Sequence, residues 1–526
     1  MRDFHHPGRS TVLTSNGMCA TSHPLAAKVA IQMLEAGGNA VDAAIAGAVL
    51  LGICEPQMTG IGGDCFVLVK PAGDGDIIAL NGSGRAPQSA SASTLRDQGM
   101  TAIPVDSVHS VTIPGAIDAF CKLSKDFGRL GLKTTLAPAI HYAQAGVPVG
   151  PRTAFDWKIA EDRPQGAAKE TYLFDGKAPE VGAVFRAPKQ AEVLRRIADK
   201  GRDAFYEGEI AEDMVNALQK MGGAHTLEDF AATRSDYTDP ISGTYKDVDL
   251  VEHPPNGQGA TAILMNNILA NFDIPNLDPL GAQRIHIEAE TAKLAYDARN
   301  RFLADADHMT RLDHMLSSDT AKALADLINP NKAMPSAPAI SEQVHKETVY
   351  LTVVDKDLMS VSLIYSVFHS FGSGIASDKF DVLFQNRGAG FSLEEGHANE
   401  LGGGKRPMHT IIPGMLQERG KVIMPFGVMG GAYQPNGHAR FVSNHVDFGM
   451  HPQQSIDAPR SFTDQGVLQV ERGYSDAIRQ ELTEMGHTVE IPDTPIGGAQ
   501  AILIDHERGV LHGASDPRKD GAALGY

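Results

Sequence analysis

HKETVYLTVVDKD, residues 345–357, alternates as a strand does. Thr348, Tyr350 and Thr352 fall on one face, and Val349, Leu351 and Val353 on the other. The valine–leucine face explains itself as core. The hydroxyl-bearing face has two readings: the wet side of a sheet, or a place where Thr348 does chemistry.

An internal threonine hydroxyl is a poor nucleophile without a base. Nearby in sequence are His345 and Glu347, which precede it, and Asp355, which follows. A cut between Glu347 and Thr348 would change this. The new α-amine would have a pKa of about 7.7–8.0 and would be partly neutral near pH 7. It would sit on the same residue as the hydroxyl and accept its proton, as in an N-terminal threonine nucleophile. Upstream, LINPNKAMPSAPAISEQV (327–344) holds three prolines among small polar residues. It reads as an exposed, mobile linker running to about residue 347, which would let the new chain end move away. Local pattern alone does not decide for chemistry, because threonine is also an ordinary strand former.

A chain of 526 residues buries a large core, as two to four domains or as one layered α/β unit. A net charge of −18 argues against nucleic acid or an anionic membrane as a partner. No apolar run reaches the length of a membrane span, and MRDFHHPGRSTVLTSNG contains no signal-like apolar stretch, so the expected location is the cytoplasm. Cys19, Cys54, Cys65 and Cys121 form no CxxC pair and read as free thiols. The histidines, including His5-His6, show no ligand spacing, so neither a metal nor another cofactor is expected.

Helices are predicted over 22–37, 39–51, 189–199, 209–221 and 282–303, with a short one over 137–145 that has Pro138 in its first turn. Cys65 to Lys70 reads as a strand. After the linker the texture turns to strands: LTVVD, MSVSLIYSVF, KVIMPFGV, GVLQV and AQAILID, interrupted by helical stretches at 437–447 and 475–485. A helix-rich first part and a strand-rich second part suggest one α/β sandwich built from both, with separate domains as the alternative.

A family resemblance runs nearly end to end. GMCATSHPLAAKVAIQMLEAGGNAVDAAIA (17–46), EPQMTGIGGDCFVLV (55–69), FYEGEIAEDMV (205–215), HPPNGQGATAILMNNIL (253–269) and HIEAETAKLAYDARNRFLAD (286–305) resemble the γ-glutamyltranspeptidase large subunit. TVYLTVVDKD (348–357), FGSGI (371–375), QNRGAGF (385–391), GKRPMHTIIP (404–413), MGG (429–431) and GASDPRKDG (513–521) resemble its small subunit. The resemblance implies an N-terminal-nucleophile hydrolase with a four-layer αββα sandwich. It implies a precursor that cuts itself between Glu347 and Thr348 into a large subunit (1–347) and a small one (348–526) that stay entwined. A homodimer of such heterodimers is left open. TVYLTVVD matches the family's cleavage motif and selects Thr348 as nucleophile. Ser366 falls where a hydroxyl touches the nucleophile, and Gly430-Gly431 where backbone N–H groups form the oxyanion hole. Asp516 and Arg518 match a segment that holds the small subunit in place.

The substrate positions depart from the family. Those that grip the α-amino group of a γ-glutamyl substrate are here Phe368, Arg387 and Gly390, and none accepts from an ammonium. The serine pair that touches the carboxylate has become His409 and Thr410. The carboxylate-binding arginine is displaced, with Arg85 two residues from its place. Tyr350 stands where the family has histidine. Arg387 suits an anion, since its planar fork binds a carboxylate at two points, and Phe368 favours a small acyl group. These residues point to hydrolysis, by water, of a short amide with a carboxylate and no amine, as in the oxamate amidohydrolase-like branch. The alternatives are a true γ-glutamyltransferase or glutathione hydrolase, a cephalosporin-acylase-like amidase, and a non-catalytic scaffold.

Denaturing electrophoresis of the purified protein is expected to give fragments 1–347 and 348–526, the second beginning Thr-Val-Tyr-Leu. Thr348→Ala is expected to run as one uncut chain. Ordinary cleavage in that variant would place the nucleophile elsewhere.

Overall fold

The computed structural model describes residues 8–335 and 348–526. Glu347, and the predicted linker beyond residue 335, lie outside the described residues.

Two seven-stranded sheets carry the fold. Their strands, in chain order, are β1 (Val12–Thr14), β2 (Met18–Thr21), β3 (Asp64–Lys70), β4 (Ile78–Gly82), β5 (Asp236–Thr238), β6 (Ile241–Tyr245) and β7 (Val248–Glu252). Then come β8 (Val349–Val354), β9 (Ser360–Ser366), β10 (Gly414–Glu418), β11 (Lys421–Met429), β12 (Gly498–Asp505), β13 (Val510–Ser515) and β14 (Ala522–Gly525). One sheet runs β14-β2-β8-β9-β3-β4-β5 and the other β1-β13-β12-β11-β10-β7-β6. Every neighbouring pair in both is antiparallel.

The strand that follows Thr348 is β8, in the interior of its sheet. Val349, Leu351 and Val353 pack outward into a core shared with α1 (Pro24–Glu35) and α2 (Ala40–Cys54). Helix α2 is apolar on all sides and entirely buried, as its small-residue sequence dictates. Each buried valine or leucine contributes about 1.5–3 kcal/mol. The opposite face of β8 is not wet. Tyr350 packs between the two sheets with Phe66, Ile364, Ile411 and Met429. Its hydroxyl meets Ser362 Oγ at 2.6 Å, and Ser362 donates to the carbonyl of Phe426 on the facing sheet at 3.2 Å. Thr352 donates to the Val361 carbonyl. These hydroxyls face the inside of a sandwich, so each needs a partner.

On the far side, α3 (Gly259–Leu269) and α5 (Gln434–Val446) pack with Phe426 and Val428 in a second helix–sheet core, and α4 (Ala282–Phe302) adds Ile287, Ala292 and Ala295. The layers are therefore α, β, β, α, as the resemblance implies. Asp355 closes β8. It accepts from the Asp357 and Met359 N–H groups in the turn to β9, and from the Ala40 N–H that starts α2. Its carboxyl is thus spent on structure.

Most predicted elements are present, with corrections. The helix expected over 137–145 starts earlier, at Leu132, and Pro138 lies inside it. Packing against the helix Pro188–Lys200 carries it through the proline. The helix-rich first part also supplies β1, β2 and β4 to β7. Of these, β1 and β2 are three and four residues long, too short to show a period in sequence. The described start of the linker, 327–335, is mostly exposed but tied down. Asn329 O accepts from His286, Pro330 O from Gln283, and the Met334 N–H donates to Glu290. Arg518 is bonded to Glu471 and Asp516, and Asp516 also to Arg460. Among the described residues no helix is long and apolar enough to cross a membrane. All four cysteines are free.

Gly427 on β11 lies under the Tyr350 ring, where an added Cβ would enter the ring's van der Waals envelope. Gly427→Ala is expected to destabilise the protein by about 1–3 kcal/mol through overpacking between the sheets. Denaturant or thermal unfolding of the variant beside the parent checks it, and an unchanged midpoint would show that this layer yields freely.

Candidate active site

Thr348 stands at the start of β8, 2% exposed. Its Oγ1 donates to Ser366 Oγ at 3.4 Å. Ser366 ends the neighbouring strand β9, so the hairpin through Asp355 brings the two hydroxyls together. Ser366 Oγ also accepts from the Phe368 N–H at 2.8 Å. Phe368 is held at φ 80°, a left-handed conformation that an aromatic residue rarely adopts. Such backbone persists only where its surroundings over-determine it, and it gathers at functional sites.

The Phe368 ring lies over the Arg387 guanidinium, 3.8 Å from carbon to ring centroid. Arg387 is fully buried, at the start of a short 3-10 turn, Arg387–Gly390. Its Nη1 donates to Thr410 Oγ1 at 2.8 Å. Its Nε and Nη2 have no partner among the described residues. These two nitrogens form one edge of the planar group. A phenyl face thus fixes the plane, a hydroxyl fixes one end, and the two-donor edge is left over. Burial lowers the Arg387 pKa to about 9, partly offset by the charge of Asp64, so the group remains a cation at neutral pH.

Asp64 opens β3 and is fully buried. Its Oδ1 accepts from Gln385 Nε2 at 2.7 Å and from the Gly84 and Gly115 N–H groups at 2.9 and 3.2 Å. Its Oδ2 lies 3.2 Å from His409 Nε2. Burial raises the Asp64 carboxyl to about 6, against the opposing pull of Arg387 and these donors. Burial, with Arg387 and His253 nearby, holds His409 well below the usual imidazole range, so it is neutral at pH 7.

The other wall is the β11–α5 junction. Gly430 and Gly431 have φ of 120° and 55°, which glycine adopts without a Cβ penalty. The Gly430 carbonyl accepts from the Tyr433 N–H at 3.0 Å. In a trans peptide this aims the Gly431 N–H the opposite way, away from the helix start. The Gly431 carbonyl accepts from Gln258 Nε2 at 2.9 Å, and the same nitrogen donates to the Thr410 carbonyl at 2.6 Å. A continuous circuit of contacts therefore runs Thr348, Ser366, Phe368, Arg387, Thr410, Gln258, Gly431.

Thr348, Ser366, Phe368, Arg387, Thr410 and Gly431 all belong to that circuit, Gly430 adjoins it, and His409 joins through Asp64. Two sequence candidates are placed otherwise. Tyr350 is engaged with Ser362 between the sheets. Arg85 is 41% exposed along its side chain, donates to the Gly404 carbonyl, and pairs with Asp236 and Asp305 at 3.6 and 3.7 Å. The sequence reading did not single out Asp64 or Gln258. A carboxylate opening an apolar strand, in GGDCFVLV, and a lone amide in PPNGQGA were the available signals.

The fold also gathers His286, Glu290 and His487, whose ligand atoms lie within 4.8 Å of one another. Residues 286 and 290 share a helix face, and 487 arrives from far along the chain, so no spacing reveals the group. Protein partners already engage the ligand atoms. His286 Nδ1 meets His487 Nε2 at 2.8 Å, and Glu290 takes the Lys293 ammonium at 2.7 Å and the Met334 N–H at 2.7 Å.

A four-layer sandwich with paired hydroxyls at the head of an inner strand defines a class, and comparison with known proteins gives the family. The chain belongs to the gamma-glutamyltranspeptidase family, whose model matches residues 26–526. It is 36% identical to the glutathione hydrolase-like YwrD proenzyme of Bacillus subtilis (strain 168), over 98% of this chain and 99% of that one. It is 33% identical to the oxamate amidohydrolase proenzyme of Klebsiella pneumoniae subsp. pneumoniae, over 98% and 100%. The crystal structure of cephalosporin acylase from Bacillus halodurans superposes with a TM-score of 0.93 at 38% identity, covering 100% of this chain and 99% of that one.

The raised Asp64 pKa has a stability consequence. Between the ordinary carboxylate value and about 6 the native state binds more protons than the unfolded state, so this group lowers stability as pH rises through that window. In Asp64→Asn that component is absent. The variant-minus-parent difference in unfolding midpoint is expected to grow in the variant's favour from pH 4 to pH 7. A difference that is flat or shrinks with pH would mean Asp64 is not held protonated by burial.

Proposed function

We propose that this chain is a self-processing amidohydrolase with Thr348 as nucleophile, acting on a short amide that carries a carboxylate and no amine, as oxamate does. In processing, Thr348 Oγ1 attacks the Glu347 carbonyl, the Glu347–Thr348 C–N bond breaks, and the nitrogen takes up the proton. Water then hydrolyses the ester, leaving a carboxylate on Glu347 and a free amine on Thr348.

In turnover the α-amine takes the hydroxyl proton as Oγ1 attacks the substrate carbonyl. Ser366 Oγ accepts from Thr348 Oγ1 in the uncut chain and holds it at that position. The N–H groups of Gly430 and Gly431 receive the developing oxyanion, each such donor being worth about 3–4 kcal/mol in the transition state. The amine passes its proton to the leaving nitrogen as the C–N bond breaks. Water then attacks the ester, the acid departs, and Oγ1–H is restored. The relatives named as proenzymes support the processing step.

One observation carries the substrate class: the buried Nε–Nη2 edge of Arg387 has no hydrogen-bond partner among the described residues. Leaving buried donors unpaired is unfavourable, and a carboxylate oxygen pair satisfies both at once. Asp64 does not fill this role, since its two oxygens are engaged by Gln385, the Gly84 and Gly115 N–H groups and His409. No side chain among Phe368, Arg387 and Gly390 can accept from an α-ammonium, which weakens the glutathione hydrolase reading. The acylase reading draws support from the structural likeness to cephalosporin acylase. Phe368, only 2% exposed, fills the space over the Arg387 guanidinium.

The test is an amide panel of oxamate, succinyl and glutaryl amides and γ-glutamyl-p-nitroanilide. The smallest carboxylate amide is expected to give the highest kcat/KM. Arg387→Lys is expected to lower kcat/KM on it by about 10²-fold or more, because an ammonium keeps the charge but not the two-point fork. Best turnover of the γ-glutamyl compound would overturn this reading.

A further inference from the structure

The two walls of the site come from distant parts of the chain. Thr410, which holds Arg387, lies in the loop before β10. Gly431, the proposed oxyanion donor, lies after β11. One side chain touches both. We propose that Gln258 is a positioning residue that sets the distance between the carboxylate-binding wall and the oxyanion wall, an inference that takes the roles of Arg387 and Gly431 from the function proposed above.

Gln258 sits in PPNGQGA, immediately before α3, and is fully buried. Its Nε2 has two hydrogens and two acceptors: the Thr410 carbonyl at 2.6 Å and the Gly431 carbonyl at 2.9 Å. Both hydrogens are used, so neither wall moves without breaking a buried hydrogen bond. Its Oε1 accepts from Arg299 Nη1 at 2.9 Å, which assigns the amide orientation, because a carbonyl oxygen would repel the two carbonyls opposite. Arg299 is fixed in turn. Its guanidinium stacks 4.5 Å from the Tyr296 ring centroid and donates to Asn300, and the Tyr296 hydroxyl bonds the Ala432 carbonyl beside Gly431. The backbone adds two clasps: the Gln258 N–H donates to the His409 carbonyl at 3.0 Å, and the His409 N–H to the Asn256 carbonyl at 2.8 Å.

The chemical need follows from the proposed substrate. In a short acid amide the carboxylate and the reacting carbonyl are adjacent, with no flexible linker to absorb error. A fork on one wall and oxyanion donors on the other must match that fixed span, and displacement of about 1 Å is enough for a 10²-fold loss. Gly-Gly backbone is the softest part of the oxyanion wall, so it most needs an external tether.

The test uses Gln258→Glu, which as a carboxylate keeps the shape and the Arg299 bond but removes both donors, and Gln258→Met, which removes all side-chain polar contacts. Each is assayed on whichever amide of the panel is turned over best, so a failure of the carboxylate reading leaves this test intact. Both variants are expected to lower kcat by about 10- to 100-fold, the usual range for outer-shell partners. KM should rise together with it, since Thr410 is released at the same time. In the Thr410→Val background Gln258→Glu should still lower kcat while adding less than its full KM effect, because the two changes break one link. A Gln258→Glu enzyme within about twofold of the parent in kcat would overturn the proposal. So would fully additive KM effects. If Gln258→Met fails to accumulate, Gln258→Glu alone decides, and loss of cooperative unfolding in both would make Gln258 a folding residue and overturn it as well.

Discussion

The constraint on which the rest depends is that both sheets interleave strands from either side of residue 348. In the sheet that holds Thr348, β8 pairs with β2 on one edge and β9 with β3 on the other. In the facing sheet β10 pairs with β7, and β13 with β1. Opening the chain ahead of Thr348 therefore removes one covalent bond and no ladder. Each of these pairings is a run of backbone hydrogen bonds inside a buried layer, where an unpaired N–H or carbonyl is costly. A terminus can be made at the head of an inner strand without loosening its neighbours. That is what an N-terminal nucleophile requires: a free amine on a residue whose position is already fixed.

The inner placement of β8 also explains its composition. A strand with one wet face would need only alternation. Here the outward face meets α1 and α2 and the inward face meets another sheet, so Tyr350, Thr352 and Ser362 must hand their hydroxyl hydrogens to named acceptors. The run from Tyr350 through Ser362 to the Phe426 carbonyl stitches the sheets together at mid-layer. Gly427 is the complementary feature on the facing strand, where a missing side chain makes room for the Tyr350 ring. Hydroxyl residues on this face belong to the structure, and Thr348 stands apart by its place at the end of the row, beside Ser366.

Much of this was legible in the sequence. Amphipathic and small-residue periods located the helices at 24–35, 40–54 and 282–302 to within a few residues, because capping residues and glycine pairs bound them. Alternation located β8, β9, β11 and β12. The edge strand β1 and its short neighbour β2 escaped, since three or four residues carry no period and their pairing is set by long-range contacts. Within the site, resemblance picked out Thr348, Ser366, Phe368, Arg387, Thr410 and the glycine pair, which the fold joins in one circuit. Tyr350 and Arg85 were placed near the chemistry by alignment, yet their side chains are taken by Ser362 and by an acidic pair. Asp64 and Gln258 act through contacts more than 150 positions away in sequence, at Gln385 and at Thr410 and Gly431, and no local pattern contains such a contact.

Selectivity in such a site rests more on what is left unpaired than on what is bound. A pocket that only excludes bulk discriminates weakly, about 10- to 200-fold for a methylene. A buried fork lacking its acceptor rejects any ligand that cannot supply one by far more, because the desolvated donors stay unsatisfied. For an ammonium the same fork is repulsive. Two unit charges at about 4 Å oppose each other by about 1 kcal/mol in water and about 4 kcal/mol at a protein-like dielectric. Phe368 sharpens the contrast by covering the guanidinium face, so water cannot solvate the cation from that side. The strained φ of Phe368 is then a consequence of its position. Its N–H reaches Ser366 while its ring covers Arg387, and it makes both contacts from a left-handed backbone.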